Sequence, residues 1–374
     1  MKIEGTLAVS ALLALGLVGC GSDAGGGGQD SPDAAGPGID NPYPGSDNTW
    51  TWVPVEGTTC MDGSATGMGV NVRPGSDKLM IYLEGGGACF NAFTCSGVAH
   101  QNGFGDADLS AFVRDFGSLG VFNRGDSDNP LANFSFVFVP YCSGDIFAGD
   151  NENGFGGRTQ VGYRNMGAYA AELAAKFEGV TQVVLAGSSA GGFGAAYNFD
   201  RVQKAFGDVP VTLLDDSGPP LSDTYLTPCL QQQIRDHWNL DATLPADCDE
   251  CRNEDGGGLV GFTTYLAGKY PDRRMGIIAS TRDGVIRLFY GWGYPNCTNP
   301  VVPMAEATFA EGIAELRDEV LAPYDNMSIY TIDSGLHVWL FEDPVGATRS
   351  GGVTLTDWMR DLIGGTGPLD HVIP

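Results

Sequence analysis

The stretch VVLAGSSAGGFGAAY, from Val183 to Tyr197, constrains this chain more than any other. An apolar run enters a knot of small residues and leaves into a segment of helical spacing. Gly187-Ser188-Ser189-Ala190-Gly191 fits G-x-S-x-G, and a buried strand before it with a helix after it is the setting of a nucleophile elbow. Glycines are needed two residues either side of the nucleophile because the turn is strained and crowded. A side chain there would collide with the adjoining strand or helix. The register puts Ser189 at the central position and Ser188 at the tolerant one. The plainer alternative is a small-residue strand–helix turn with no chemistry.

Other residues decide between these readings. A serine hydroxyl is a poor nucleophile until a base takes its proton. The chain has 4 histidines. His100 follows the first strand and its glycine run, His237 lies in a polar stretch, and His371 stands close to the C-terminus. His337, after the strand-like SIYTID, is placed as an α/β-hydrolase base should be, with the chain order Ser, acid, His. The acid must orient the imidazole and stabilise its positive charge. Asp283, at the end of RRMGIIAS, is preferred. Asp215 and Asp216, at the end of VPVTLLDDSG, are the runners-up; either would otherwise brace the elbow or cap the following turn. Acyl transfer also needs donors aimed at the developing oxyanion. Glu84-Gly85-Gly86-Gly87 follows KLMIYL and suits the role of an HGGG-type loop, with Glu in place of His, while the N–H of Ala190 supplies the other donor. A phosphate-binding reading of this loop is weak, because no Lys-Ser or Lys-Thr follows it.

Strand-like runs alternate with helical ones: KLMIYLEGGG, FSFVFVPYCSGD, MGAYAAELAAKF, QVVLAGSSAGG, VPVTLLDDSG, RRMGIIASTRDG, EGIAELRDEVLA and MSIYTIDSGLHVW. This rhythm predicts an α/β domain with a mostly parallel sheet, whose chemistry gathers at the carboxyl ends of the strands. The stretch 221–269 breaks the rhythm with three cysteines and many polar residues, and reads as an insertion or cap near the site.

Met1 and Lys2 precede the apolar TLAVSALLALGLV, a secretory signal by length and flanks rather than a membrane span. Leu17-Val18-Gly19-Cys20 resembles a bacterial lipobox, which implies cleavage before Cys20 and a lipid on its thiol. A plain signal peptide cut elsewhere is the alternative. The expected organisation is a signal peptide over 1–19, a disordered Gly/Asp/Ser/Pro tether over 20–48 and one catalytic domain over 49–374. Such a protein resides in the cell envelope, at the outer membrane, or outside the cell. The net charge of -26 opposes nucleic acid as a partner. Cys60, Cys89, Cys95, Cys142, Cys229, Cys248, Cys251 and Cys297 make an even set, which in an exported chain suggests disulfides. Cys248 and Cys251 have the spacing of half a zinc site, but no second half follows, so a disulfide is preferred.

LEGGGACFNAFTC, FVPYCSGDIFAGD, LAGSSAGGFGAAYNFDRV and the segments around Asp283 and His337 resemble the pectin acetylesterase family, with its Notum-like carboxylesterases. The likeness runs from about Cys60 to His337. It implies an α/β-hydrolase-like three-layer sandwich, a triad of Ser189, Asp283 and His337, and oxyanion donors at Gly86, Gly87 and Ala190. It also implies disulfides Cys89–Cys95 and Cys60–Cys142, with the pairing of the other four open. Members carry Trp at or just after the glycine run; Ala88 stands here, which reshapes the space beside the oxyanion hole. Phe90, Phe147, Phe193, Trp292 and Trp339 fall in loops expected around the site, where they would line an acyl or sugar-stacking cleft. The leading expectation is an exported, monomeric serine esterase that needs no metal or organic cofactor. It removes acyl groups, acetyl first, from a carbohydrate or related small-molecule ester. De-esterified pectin would be repelled by the acidic surface. Two alternatives stand: a lipase-like or polyester-degrading esterase, and a non-catalytic glycan-binding lipoprotein.

Overall fold

The computed structural model of this chain describes residues 39–298 and 303–374. The expected signal peptide, Cys20 and the tether as far as residue 38 lie outside them. Folded chain begins before the expected boundary at residue 48. Tyr43 is buried with its ring 5.9 Å from that of Phe177, and Asp47 bridges to Val72. One aromatic among Asn, Pro and Gly carries no periodicity, so this anchor was invisible in the sequence.

The main strands are β1 (Thr51–Thr59), β2 (Ala65–Asn71), β3 (Lys78–Leu83), β4 (Ser135–Val139), β5 (Gln182–Ser188), β6 (Val211–Asp216), β7 (Met275–Ser280) and β8 (Met327–Ile332). They form one sheet in the order β1-β2-β4-β3-β5-β6-β7-β8. From β4 through β3 to β8 every pairing is parallel, and the β1–β2 and β2–β4 pairings are antiparallel. The parallel strands are buried on both faces, which is why they read as largely apolar runs rather than as alternating ones. Alternation then sorts their side chains. Leu79, Ile81, Leu83, Val183 and Leu185 join one core, whereas Met80, Tyr82, Val184 and Ala186 join the other.

The helices are α1 (Ala92–Ser96), α2 (Asp106–Phe116), α3 (Gly162–Lys176), α4 (Ala190–Phe206), α5 (Pro228–Trp238), α6 (Gly261–Lys269), α7 (Ile286–Gly291), α8 (Glu306–Glu315) and α9 (Leu355–Gly364). α3 and α4 cover the first core with Met166, Tyr169, Leu173, Phe199 and Val202. α2 and α9 cover the second. In α9 the buried residues Leu355, Trp358, Met359, Leu362 and Ile363 make a single helical stripe. The result is the expected three-layer α/β sandwich.

Among the described residues four disulfides join Cys60 to Cys142, Cys89 to Cys95, Cys229 to Cys297 and Cys248 to Cys251. The first two are those the resemblance implied. The last consumes the thiols of the zinc-like pair. Cys60 and Cys142 are 82 residues apart in sequence, so their bond removes much freedom from the unfolded chain. Replacing both by Ala is expected to lower the unfolding free energy by about 2–5 kcal/mol in urea titrations. Unchanged stability would contradict that role.

Candidate active site

Ser189 sits between the last residue of β5 and the first of α4, with φ 59° and ψ -122°. Such a backbone is strained for a non-glycine residue and persists only where its surroundings impose it. Its neighbours show why small residues are required. A Cβ on Gly187 would come within 2.1 Å of Gly191 O, and one on Gly191 within 2.0 Å of Leu83 O. The helix therefore starts almost in contact with β3, and the hydroxyl of Ser189 is left at the end of the sheet.

Asp283 and His337 follow β7 and β8, at the same carboxyl ends of the parallel strands. His337 Nδ1 lies 2.7 Å from Asp283 Oδ2. The other carboxylate oxygen, Oδ1, accepts the N–H groups of Val285 and Ile286 at 2.8 and 2.9 Å. The start of α7 thus fixes Asp283, which is 2% exposed, and leaves one oxygen for the imidazole. His337 Nε2 is buried and has no hydrogen-bond partner among the described residues. The other histidines are elsewhere. His100 pairs with Glu84 at 3.1 Å, His237 packs edge-on against Phe155, and His371 Nδ1 accepts the Ile329 N–H.

Neither runner-up acid meets an imidazole. Asp215 Oδ1 accepts the Gly218 N–H at 2.9 Å, and burial, reinforced by Asp216, pushes its carboxyl well above the usual range. Asp216 accepts the hydroxyl of Ser188 at 2.8 Å. Ser188 is therefore a buried, committed donor, which leaves the half-buried Ser189 as the reactive candidate.

The glycine loop after β3 lies against the elbow. A Cβ on Gly85 would reach Ser188 O at 2.7 Å and Ser189 Cβ at 3.0 Å. Gly87, at φ 89°, turns the chain in a conformation that suits glycine. Among the described residues the N–H groups of Gly86, Gly87 and Ala190 donate to no backbone acceptor outside regular elements. The 3.1 Å contact of Glu84 with His100 and the bond from Tyr141 N–H to Glu84 Oε2 hold the start of this loop.

A cavity opens beside Ser189. Gly87, Ala88, Phe90 and Ile146 form one wall, and Phe193, Ala196 and Tyr197 of α4 form the floor. The 221–269 stretch contributes Leu221, Leu226, Leu230, Ile234, Trp238, Leu259, Val260, Phe262 and Thr263, and α7 adds Ile286, Phe289 and Tyr290. Among the described residues no charged side chain lines it.

Of the aromatic residues expected at the site, Phe90 and Phe193 line this cavity. Trp339 does not. It is 6% exposed in the second core, and its indole N–H bonds to Ser280 Oγ at 3.0 Å. The same hydroxyl donates to Leu336 O at 2.7 Å, so Trp339 and Ser280 brace the loop that carries His337. Trp292 packs against Phe93 with ring centroids 5.3 Å apart and the planes tilted by 47°, instead of lining the cavity, and Phe147 is buried against Tyr141. The 221–269 stretch was expected as a cap near the site, but its wall residues in α5 and α6, and those of α7, were not singled out in the sequence. One signal was available: Ser189, Phe193 and Tyr197 recur every four residues, on one face of a helix that starts at the elbow.

The family model described as Pectinacetylesterase matches residues 49–259, more than half of the 374. This chain belongs to the pectinacetylesterase family. The match includes the elbow but ends before Asp283 and His337. Among curated relatives, the palmitoleoyl-protein carboxylesterase notum2 of Xenopus laevis is 34% identical over 151 residues, covering 38% of this chain and 30% of that one. The palmitoleoyl-protein carboxylesterase NOTUM of Homo sapiens is 31% identical over 172 residues, covering 43% and 34%. The alignments thus span about a third of the length of these relatives. The crystal structure of the Wnt deacylase Notum from Drosophila superposes with a TM-score of 0.62 at 21% identity, covering 86% of this chain and 96% of that one. This pectinacetylesterase-family chain therefore has the Notum-like α/β-hydrolase fold.

Proposed function

We propose that this chain is a carboxylic ester hydrolase that works through a serine acyl-enzyme, and that the acyl group it removes is an apolar chain longer than acetyl. The observation that carries this reading is the charge-free apolar cavity opening at Ser189. An acetyl group would fill little of it, whereas each further buried methylene contributes about 0.8 kcal/mol. Ala88 supports the same reading, because a small residue stands at the wall where a larger one would close the space. The names of the curated relatives, palmitoleoyl-protein carboxylesterases, point the same way.

In this mechanism Ser189 Oγ attacks the ester carbonyl while His337 Nε2 takes its proton. Asp283 holds the Nδ1 proton and stabilises the imidazolium that forms. The N–H groups of Gly86, Gly87 and Ala190 receive the oxyanion. His337 then protonates the leaving alcohol, and water repeats the path to release the acid. The Leu17–Cys20 motif supports export, with a lipid on Cys20 holding the enzyme at the cell envelope.

A second reading keeps the same residues and takes acetyl from a carbohydrate. The description of the family model favours it. Purified enzyme assayed on p-nitrophenyl esters from acetate to palmitate separates the two. Under the first reading kcat/KM is expected to rise more than about tenfold from acetate to octanoate. A maximum at acetate would leave only the second. Absence of hydrolysis at every length would remove both.

A further inference from the structure

Asp216, the last residue of β6, stands between the segment that carries Ser189 and the segment that carries His337. On one side its carbonyl oxygen accepts the Ser189 N–H at 2.7 Å, and its Oδ2 accepts the Ser188 hydroxyl at 2.8 Å. On the other side the same Oδ2 accepts the N–H groups of Trp339 and Leu340 at 2.8 and 3.0 Å. Ser217 completes the grip: its hydroxyl donates to Asp216 Oδ1 at 3.0 Å and accepts the Val338 N–H at 3.2 Å. Three successive N–H groups after His337 are thus tied to one Asp-Ser pair. Val338 is held at φ 64°, a conformation that a β-branched residue adopts only under constraint.

Asp216 itself is fully buried, lines no part of the cavity and bonds to neither His337 nor Asp283. Its four donors are Ser188, Ser217, Trp339 and Leu340. A carboxylate accepts from all of them, whereas an amide that keeps its oxygen toward Ser188, Trp339 and Leu340 turns its NH₂ onto the Ser217 hydroxyl, which loses its acceptor and whose oxygen is then contested with the Val338 N–H. A hydrogen-bonded carboxylate buried at this depth is costly to desolvate, and Asp216 Oδ2 is the acceptor recorded for the Trp339 and Leu340 N–H groups and the Ser188 hydroxyl.

We propose that Asp216, with Ser217, is a positioning residue that sets the distance between His337 and Ser189 by tying the backbone after the base to the nucleophile elbow. This rests on the Ser189–His337 mechanism above. Because the link runs through hydrogen bonds to the backbone, the base loop cannot drift from the elbow without breaking several of them together. A displacement of the base by 1 Å is enough to cost about 100-fold in rate.

The test is steady-state kinetics of full-length Asp216→Asn, His337→Ala and the double variant on the best p-nitrophenyl ester. Asp216→Asn is expected to lower kcat about 100-fold while KM stays within about threefold. In the His337→Ala background it should cost less than about twofold more, since the residue acts through that imidazole. A kcat within about threefold of wild type, or a loss that persists undiminished without His337, would overturn the proposal. A merely structural role predicts that persistent loss. Should Asp216→Asn fail to melt cooperatively, Ser217→Gly replaces it, because glycine is at ease at the φ of 65° found there. That variant is expected to lose about tenfold in kcat in the presence of His337 only, and full activity would overturn the proposal. A fully active His337→Ala would instead overturn the mechanism itself, an outcome read without touching Asp216.

Discussion

Asp283→Asn is expected to lower kcat about 10⁴-fold on p-nitrophenyl esters, with the fold intact. The direction follows from the way Asp283 is held. Its Oδ1 accepts two backbone N–H groups at the start of α7, and its Oδ2 faces His337 Nδ1 at 2.7 Å. An asparagine keeps its amide oxygen on the α7 side, where the donors are. Its NH₂ then faces Nδ1, which must turn from donor to acceptor. The proton moves to Nε2, so the imidazole can no longer take one from Ser189. Circular dichroism and thermal melting would establish that the variant is folded, and stopped-flow or steady-state rates would measure the loss. A wild-type rate would remove Asp283 from the mechanism.

Ser189→Ala is expected to have the larger effect, about 10⁶-fold in kcat, since no acyl-enzyme can form without the hydroxyl. A fluorophosphonate probe should label the wild-type protein at Ser189, as read by peptide mass spectrometry, and leave Ser189→Ala unlabelled. The adjacent hydroxyl is the internal comparison. Ser188 is buried and donates to Asp216, so it has neither the exposure nor the free proton-accepting neighbour that a nucleophile requires. Label found on Ser188 would reverse the assignment.

The parts of the fold that were legible are those where burial leaves a one-dimensional trace. β3 to β8 are buried on both faces, so most of each appears as an apolar run, interrupted by Thr212 in β6 and by Ser328 and Thr331 in β8, and α3 and α4 show helical spacing. β1 and β2 were not legible. Pro54, Gly57, Gly67 and Gly69 dilute their apolar content, and Gly67 is needed because a Cβ there would come within 2.2 Å of Val53 O across the hairpin. That reason lies in the partner strand and leaves no local pattern. Trp339 shows the opposite error. An aromatic two residues after His337 suggested a cleft wall, but its indole is turned into the second core by Ser280, 59 residues away in sequence.

The sequence by itself determined the elbow turn, because G-x-S-x-G is a local steric requirement, and it offered Asp283 and His337 as candidate partners in the required order. Glycines at 187 and 191 are the only residues that fit against the backbone of α4 and β3. A serine after β5, an acid after β7 and a histidine after β8 carry the same information along one dimension. The tertiary structure decided the apolar cavity beside Ser189 and the Asp216 link. The cavity joins residues from α4, α5, α6 and α7 with the glycine loop, and the link joins β6 to residues more than 120 positions later. Contacts between such distant positions are set by how helices and loops pack over the sheet. No spacing rule encodes that packing, so Asp216 could be seen in the sequence only as a second-choice acid.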